Sequence, residues 1–217
     1  MSDNGYLTPL DHERLLEGVR SLAARDPDLA AVIEAFGPPP LWAREPGFPT
    51  LIYIILEQQV SLASARAAFN RLTAALTPLT PQAFLELDDA ALKTIGFSRQ
   101  KTTYGRIAAR ALLDGELDLN SLLGLEDDVV RAHLTRLKGI GRWTADIYLM
   151  EALLRPDVWP TGDLALAVAV QRVKRLPVLP NPVQLGEIGH LYAPWRAVAA
   201  RIFWHHYLST PSPRSSI

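Results

Sequence analysis

Residues 137–146, LKGIGRWTAD, place two glycines two positions apart between segments with the apolar spacing of helices. Gly139 and Gly141 interrupt this pattern, and Arg142 and Trp143 follow directly. A glycine after a helix is usually a left-handed cap, which would explain Gly139 alone. The second glycine and the immediate return to a helical pattern favour a helix–hairpin–helix, whose glycines let main-chain amides approach an anion.

The composition is that of an ordinary globular protein, with 48% hydrophobic and 21% charged residues among 217. The absence of cysteine excludes disulfides, cysteine zinc sites and cysteine-ligated iron–sulfur clusters. A net charge of −1 argues against nonspecific coating of nucleic acid. Residues 99–110 carry four cations and no acid, which fits either a local basic surface or a solvated helix face.

Targeting signals and membrane segments are not expected. The N-terminus lacks a basic region followed by an apolar stretch, so we expect no signal peptide. The apolar runs, such as LIYIIL at 51–56, are too short to cross a bilayer. A soluble cytoplasmic protein is therefore the expectation.

The hydrophobic pattern predicts an all-α fold without strands. Pro-rich linkers are predicted at 37–49 and 176–182, and the tail at 209–217 is predicted to be disordered. Capping residues and glycines mark the helices, which are predicted at about 11–24, 26–37, 50–58, 61–76, 80–87, 88–96, 98–113, 126–136, 142–154 and 163–175, with two more ending near 208.

An aspartate follows the hairpin region at a helix start. Asp163 comes after an extended VWPTG segment and directly before LALAVAVQRV. Aspartate is a favoured N-cap residue, and capping alone would explain this position. The order of hairpin, aliphatic helix, extended segment and aspartate nevertheless favours a functional carboxylate.

This combination resembles the helix-hairpin-helix superfamily of base-excision DNA glycosylases, and within it the 3-methyladenine DNA glycosylase II branch. The resemblance covers about residues 45–208 and rests on four matches in order: EQQVS at 57–61, GFSRQK at 96–101, GIGRWTA at 139–145 and YAPWR at 192–196. It implies the HhH-GPD fold as a single unit of two helical lobes with an active-site cleft between them. Lobe one is expected at 1–48 and 176–208, and lobe two at 49–175 with the hairpin at 137–141.

The resemblance also implies roles for individual residues. Asp163 takes the place of the catalytic carboxylate, and Gln59 that of the wedge filling the gap left by a flipped nucleotide. The phosphate grip is expected at Lys138, Gly139, Ile140, Gly141 and Arg142. The base pocket is expected at Trp143, Trp195, Tyr148 and Leu164. No cofactor is required, but a Na⁺ or K⁺ ion can bind at the main-chain carbonyls of Thr135, Leu137 and Ile140.

Several positions depart from the family pattern. The residues before the match read as helices, so the family's β-rich N-terminal domain is expected to be absent. A pocket aromatic of the family falls on Ile147, with Tyr148 one position later. Leu164 replaces the aromatic after the catalytic aspartate, and the wedge position holds glutamine instead of an apolar residue. The expected pocket is therefore less aromatic.

The implied activity is hydrolysis of alkylated purines, of the 3-methyladenine and 7-methylguanine type, from damaged double-stranded DNA. Bifunctional members of the superfamily carry a lysine two residues after the second hairpin glycine, where this chain has Trp143. We therefore expect a monofunctional, water-using monomer that leaves an abasic site. The alternatives are a noncatalytic helix–hairpin–helix DNA-binding module, a glycosylase for oxidised or mismatched bases, and a helical protein-interaction domain.

Overall fold

The structure, a computed structural model, describes residues 8–210. These residues form twelve α-helices and one short 3₁₀ helix and no strand, which confirms the all-α prediction. None of the helices within 8–210 has the length and apolarity needed to cross a membrane. Most of the predicted tail, from residue 211 onward, lies outside the described residues, and Ser209 ends the last helix.

Five helices belong to unit 1, which comprises the described residues 8–43 and 154–210. They are α1 (His12–Arg25), α2 (Pro27–Phe36), α10 (Leu164–Val173), α11 (Pro182–His190) and α12 (Arg196–Ser209). The apolar side chains of α12 are buried against α10, α2 and α1, so α12 is the central helix of this unit.

The remaining helices belong to unit 2, Arg44–Leu153. They are α3 (Phe48–Glu57), α4 (Leu62–Ala75), α5 (Pro81–Glu86), α6 (Asp89–Ile95), α7 (Arg99–Leu113), the 3₁₀ helix Ser121–Gly124, α8 (Asp127–Thr135) and α9 (Arg142–Glu151). Nearly all of α3 is buried, because α4, α7 and α9 all pack against it.

Helix starts follow the sequence signals closely. Side chains of Asp11, Ser61 and Ser98 accept main-chain N–H groups of the first turns of α1, α4 and α7. Proline occupies the first turn of α2, α5 and α11, where it has no helical hydrogen bond to lose. These local signals placed most helix boundaries to within a few residues.

The division into units differs from the predicted lobes by a few residues at its first boundary and by more at its second. The first boundary lies at 43/44 instead of 48/49, but the second lies at 153/154 instead of 175/176. The cause is the packing of α10 against α12 and α2, which assigns this helix and Asp163 to unit 1. The sequence pattern could not reveal this, because an apolar helix does not indicate which neighbour will cover it.

Candidate functional site

The predicted hairpin connects α8 to α9 in unit 2. Residues 136–141 link the helices, and the Ile140 amide donates to the Leu137 carbonyl at 3.0 Å. Gly139 has φ +96°, which L side chains rarely adopt. It is not the cap of α8, which ends at Thr135 with Arg136 as its C-cap. Gly139 therefore forms the turn itself.

The two glycines differ in what an added side chain would contact. A Cβ atom at Gly139 would overlap the ring of Tyr104 on α7, so the packing of the protein itself requires glycine at this position. Gly141 has φ −89°, which any residue can adopt, and a Cβ there would meet nothing within 4 Å. Gly141 is also exposed, which leaves its surface open to an external group.

The start of α9 has the properties of an anion site. Gly141 is its N-cap, and no side chain caps the helix. The first-turn amides of an uncapped helix, together with the helix dipole, favour a negative charge. Lys138 and Arg142 are exposed on either side of Gly141, whereas the Ile140 side chain is buried and anchors the turn.

A buried ion pair joins the two helices of the hairpin. Arg131 on α8 donates from Nε to Oδ1 of Asp146 on α9 at 2.6 Å, and the Asp146 side chain is 1% exposed. Burial raises the pKa of Asp146, and Arg131 counters this effect. The pair holds α8 and α9 in one orientation, a role that the sequence did not indicate.

Gln59 lies at the junction between α3 and α4. Its φ is +56°, and its side chain is exposed, as are those of Val60 and Leu62. A non-glycine residue in this region is strained by about 1–3 kcal/mol, and such strain clusters at functional sites. This geometry is compatible with the wedge role, which stays a prediction.

Asp163 is the N-cap of α10 in unit 1. Its Oδ1 accepts a hydrogen bond from the Leu166 amide at 2.6 Å, so Asp163 does cap the helix. The same oxygen accepts Nε1 of Trp204 on α12 at 3.1 Å. Leu164, the next residue, is 67% exposed although it is apolar. Asp163 thus combines a structural contact with a fixed, half-buried carboxylate.

The sequence interpretation missed two aromatic residues, Trp204, which contacts Asp163, and Trp42, which contacts Trp204. Their rings meet edge to face, with centroids 6.4 Å apart, and both are half-buried. Trp42 has φ +49°, another strained conformation. The signal for Trp204 was the aromatic run FWHHY at 203–207, which follows the matched YAPWR segment.

Two predicted pocket residues are core residues instead. The Trp195 ring packs so tightly on α1 that a Cβ at Gly18 would lie 2.9 Å from it, and only 9% of Trp195 is exposed. Tyr148 is fully buried in unit 2, where its hydroxyl accepts the Gly47 amide at 3.0 Å. Neither ring offers a face to a base, so these assignments are wrong. Trp143, in the first turn of α9, is half-buried and keeps its predicted role as a candidate.

The predicted cation position consists of main-chain carbonyls. The Leu137 carbonyl already accepts the Ile140 amide, but a carbonyl oxygen has a second lone pair. Within residues 8–210, no group of three or more His, Cys, Asp or Glu residues could hold a metal. Neutral carbonyl ligands at a tight turn fit a monovalent cation, so the residues present are compatible with one.

The hairpin and Asp163 carry the family resemblance, and comparison with known proteins decides it. Residues 52–188 match the family described as HhH-GPD superfamily base excision DNA repair protein. The chain belongs to this superfamily. The HhH-GPD match includes the hairpin, Gln59 and Asp163, while Trp204 lies beyond its end.

Named relatives extend the similarity over most of the chain. DNA-3-methyladenine glycosylase 1 of Schizosaccharomyces pombe is 30% identical over 74% of this chain and 72% of its own length. The putative DNA-3-methyladenine glycosylase YfjP of Bacillus subtilis is 26% identical, and the match spans 64% of its length. The solved structure of S. pombe 3-methyladenine DNA glycosylase Mag1 with abasic DNA has a TM-score of 0.82 at 27% identity, covering 87% of this chain and 95% of that one.

Proposed function

We propose that this protein is a DNA glycosylase that hydrolyses the N-glycosidic bond of alkylated purines, of the 3-methyladenine and 7-methylguanine type. The observation that carries the proposal is Asp163, a carboxylate fixed by the Leu166 amide and the Trp204 indole. The names of the relatives support the substrate class, because they describe 3-methyladenine glycosylases.

The start of α9 would hold the DNA backbone. Its uncapped first turn and the open surface of Gly141 suit a phosphate group, and Lys138 and Arg142 add positive charge. Contacts of this kind position a protein on DNA without reading its sequence. A site built from main-chain amides also suits a chain of net charge −1.

Access to the damaged base requires that the nucleotide leave the stack, at a cost of a few kcal/mol. Exposed Gln59 would occupy the gap left behind. Its amide group can hydrogen-bond to the unpaired base opposite, which an apolar wedge cannot do. This assignment explains why a strained conformation is kept at an exposed position.

The bond cleavage follows from the charge of the substrate. An N-alkylated purine is cationic, and aromatic faces attract cations by roughly 0.5–2 kcal/mol per contact. Trp204, Trp42 and Trp143 are the half-buried candidates for such faces. The base departs with the electrons of the glycosidic bond, and Asp163 stabilises the positive charge left on the sugar. Water then adds to the sugar and loses a proton, which leaves an abasic site.

We also propose that the enzyme is monofunctional and acts as a monomer. Trp143 occupies the place where bifunctional relatives carry a lysine, so no amine is held there to attack the sugar. A Na⁺ or K⁺ ion on the carbonyls of Thr135, Leu137 and Ile140 would add positive charge to the phosphate grip.

The direct test is release of free base from a panel of duplexes. The panel contains 3-methyladenine, 7-methylguanine, 8-oxoguanine and a mismatched pair, each incubated with the protein and with Asp163→Asn. We expect release from the methylated duplexes only, and far more slowly by Asp163→Asn than by the unmodified protein. Binding to the duplexes without release of any base would favour the noncatalytic alternative. Preferential release of 8-oxoguanine would favour a glycosylase for oxidised bases.

A further inference from the structure

Gln58 precedes the exposed Gln59 and turns in the opposite direction, into unit 2. Its Nε2 donates to the Gly139 carbonyl at 2.9 Å and to the Thr144 hydroxyl at 3.0 Å. A main-chain carbonyl can only accept, so the atom facing Gly139 must be the amide nitrogen. Both hydrogens of this nitrogen are therefore used, one on the hairpin turn and one on α9.

The chain just before Gln58 has a second polar tether. Lys101 on α7 donates from Nζ to the Leu56 carbonyl at 2.7 Å, near the C-terminus of α3. Cations are favoured at this end of a helix, because its last carbonyls lack helical partners. Leu56 and Gln58 are thus held on either side of Glu57, and the chain emerges at Gln59 with a fixed direction.

The partner of Gln58 on the hairpin is itself immobilised. Gly139 lies against the Tyr104 ring so closely that no side chain fits between them. Thr144 is 2% exposed and lies in the first turn of α9, the helix whose start forms the proposed phosphate grip. The Gln58 amide therefore links the wedge junction to the closely packed Gly139 turn and to the first turn of α9.

We propose that Gln58 is a positioning residue that sets the register between the Gln59 wedge and the phosphate grip. This inference rests on the proposed function. Flipping a nucleotide requires the backbone to be held at one point and the gap to be filled at another, at a fixed spacing. Without the Gln58 amide, Gln59 loses the restraint that keeps it in a left-handed conformation, and its side chain takes other directions.

The decisive variant is Gln58→Met, which keeps the length of the side chain and removes its donor. Gln59→Ala serves as the reference for a lost wedge. Gln82→Met, at an exposed position of α5, is the matched control. Gln58→Met leaves both the Gly139 carbonyl and the buried Thr144 hydroxyl without the Gln58 donor. The double variant with Thr144→Val removes the unpaired hydroxyl and so lessens the loss of stability.

The first measurement is binding to a duplex with a tetrahydrofuran abasic analogue and to the same duplex undamaged. We expect Gln58→Met and the double variant to lose about tenfold of the preference for the abasic analogue, as Gln59→Ala does. Affinity for undamaged duplex should stay within about twofold, because the phosphate grip is intact. An unchanged preference, or an equal fall on both duplexes, would overturn the proposal.

The second measurement is single-turnover base release from a methylated purine in a full pair and opposite an abasic analogue. Gln58→Met should slow base release from the paired substrate about tenfold more than from the unpaired one, because only the paired base resists flipping. Equal slowing of both would mean a general structural role. Unmodified protein that prefers the abasic analogue but releases no base would refute the proposed function, while the binding measurement would still decide the role of Gln58.

Discussion

The Trp204 indole donates to Asp163 Oδ1 at 3.1 Å, so α12 and α10 meet at the carboxylate expected to act in catalysis. Hydrogen bonding to a charged group stabilises it more than a neutral contact does. The indole thus holds the carboxylate in one orientation, and its edge-to-face contact with Trp42 holds the indole. Trp204 is therefore an aromatic residue that contacts the candidate carboxylate directly.

Replacing Trp204 by phenylalanine tests this relationship. The variant keeps an aromatic face but removes the N–H donor, and we expect single-turnover base release to fall roughly tenfold to a hundredfold. Trp195→Phe is the matched comparison, because its ring packs on α1. It should lower the free energy of unfolding by about 1–3 kcal/mol and leave base release by the folded protein nearly unchanged. The reverse pattern would restore Trp195 as the pocket residue.

Asp163→Asn separates capping from catalysis. Asparagine caps helices as well as aspartate does, so the Leu166 amide keeps its acceptor and folding should persist. Loss of the negative charge should slow base release by about 100-fold or more, since the carboxylate acts on developing positive charge. The checks are single-turnover kinetics beside thermal unfolding and duplex affinity. Native-rate excision by the asparagine variant would leave Asp163 with a capping role only.

Local sequence signals predicted the helices well because each signal acts on its own neighbours. Asp11, Ser98 and Asp163 cap the helices that they precede, and this requires no knowledge of the fold. The hairpin was predictable for the same reason. Its Gly139 turn and the uncapped start of α9 lie within a few residues of each other.

The errors concern side chains whose role depends on distant partners. Trp195 and Trp204 lie nine positions apart on adjacent segments, and only packing against Gly18 or Asp163 distinguishes them. Tyr148 lies one position after Ile147, where the family pattern has its pocket aromatic. A shift of one residue on a helix turns a side chain by about 100°. The Gln58 amide was overlooked because its acceptors, Gly139 and Thr144, lie far along the chain.

Tyr148→Phe should affect stability and not catalysis. Removing the hydroxyl leaves the Gly47 amide without its acceptor, so we expect a loss of about 1–3 kcal/mol in the free energy of unfolding at pH 7. Base release should stay within about twofold, because a buried ring does not contact a base. A large loss of base release with unchanged stability would return Tyr148 to the pocket.

The same residue predicts a pH dependence. Burial raises the pKa of Tyr148 from 10.0 to about 12, so the folded protein favours the protonated form. Its contribution to stability is complete below pH 10 and is lost as the pH rises through about 12. The measurement is urea unfolding at pH 7 and at pH 11. The difference in the free energy of unfolding between the unmodified protein and Tyr148→Phe should be smaller at the higher pH. A constant difference would contradict this assignment.

The two hairpin glycines should respond differently to substitution. Gly139→Ala adds a Cβ at φ +96° against Tyr104, so we expect destabilisation by about 1–3 kcal/mol or more. Gly141→Val should fold, but should weaken binding to damaged and undamaged duplexes alike. Gly124→Val, at another glycine with open surroundings, is the control. Unchanged duplex affinity of a folded Gly141→Val would refute the phosphate grip.

The fate of the DNA strand depends on Trp143. No lysine occupies this position, and Lys138 lies before Gly139 on the other side of the turn. Without an amine placed to form a Schiff base, the product should be an intact strand with an abasic site, which breaks only in alkali or with a separate lyase. The measurement is incubation with methylated duplex and borohydride, followed by denaturing electrophoresis. Trp143→Lys provides a matched variant, because it restores the residue of the bifunctional relatives at the same backbone position. The unmodified protein should form neither a covalent adduct nor a nick at neutral pH. If it forms both in good yield, Lys138 or another amine reaches the sugar, and the monofunctional assignment is wrong.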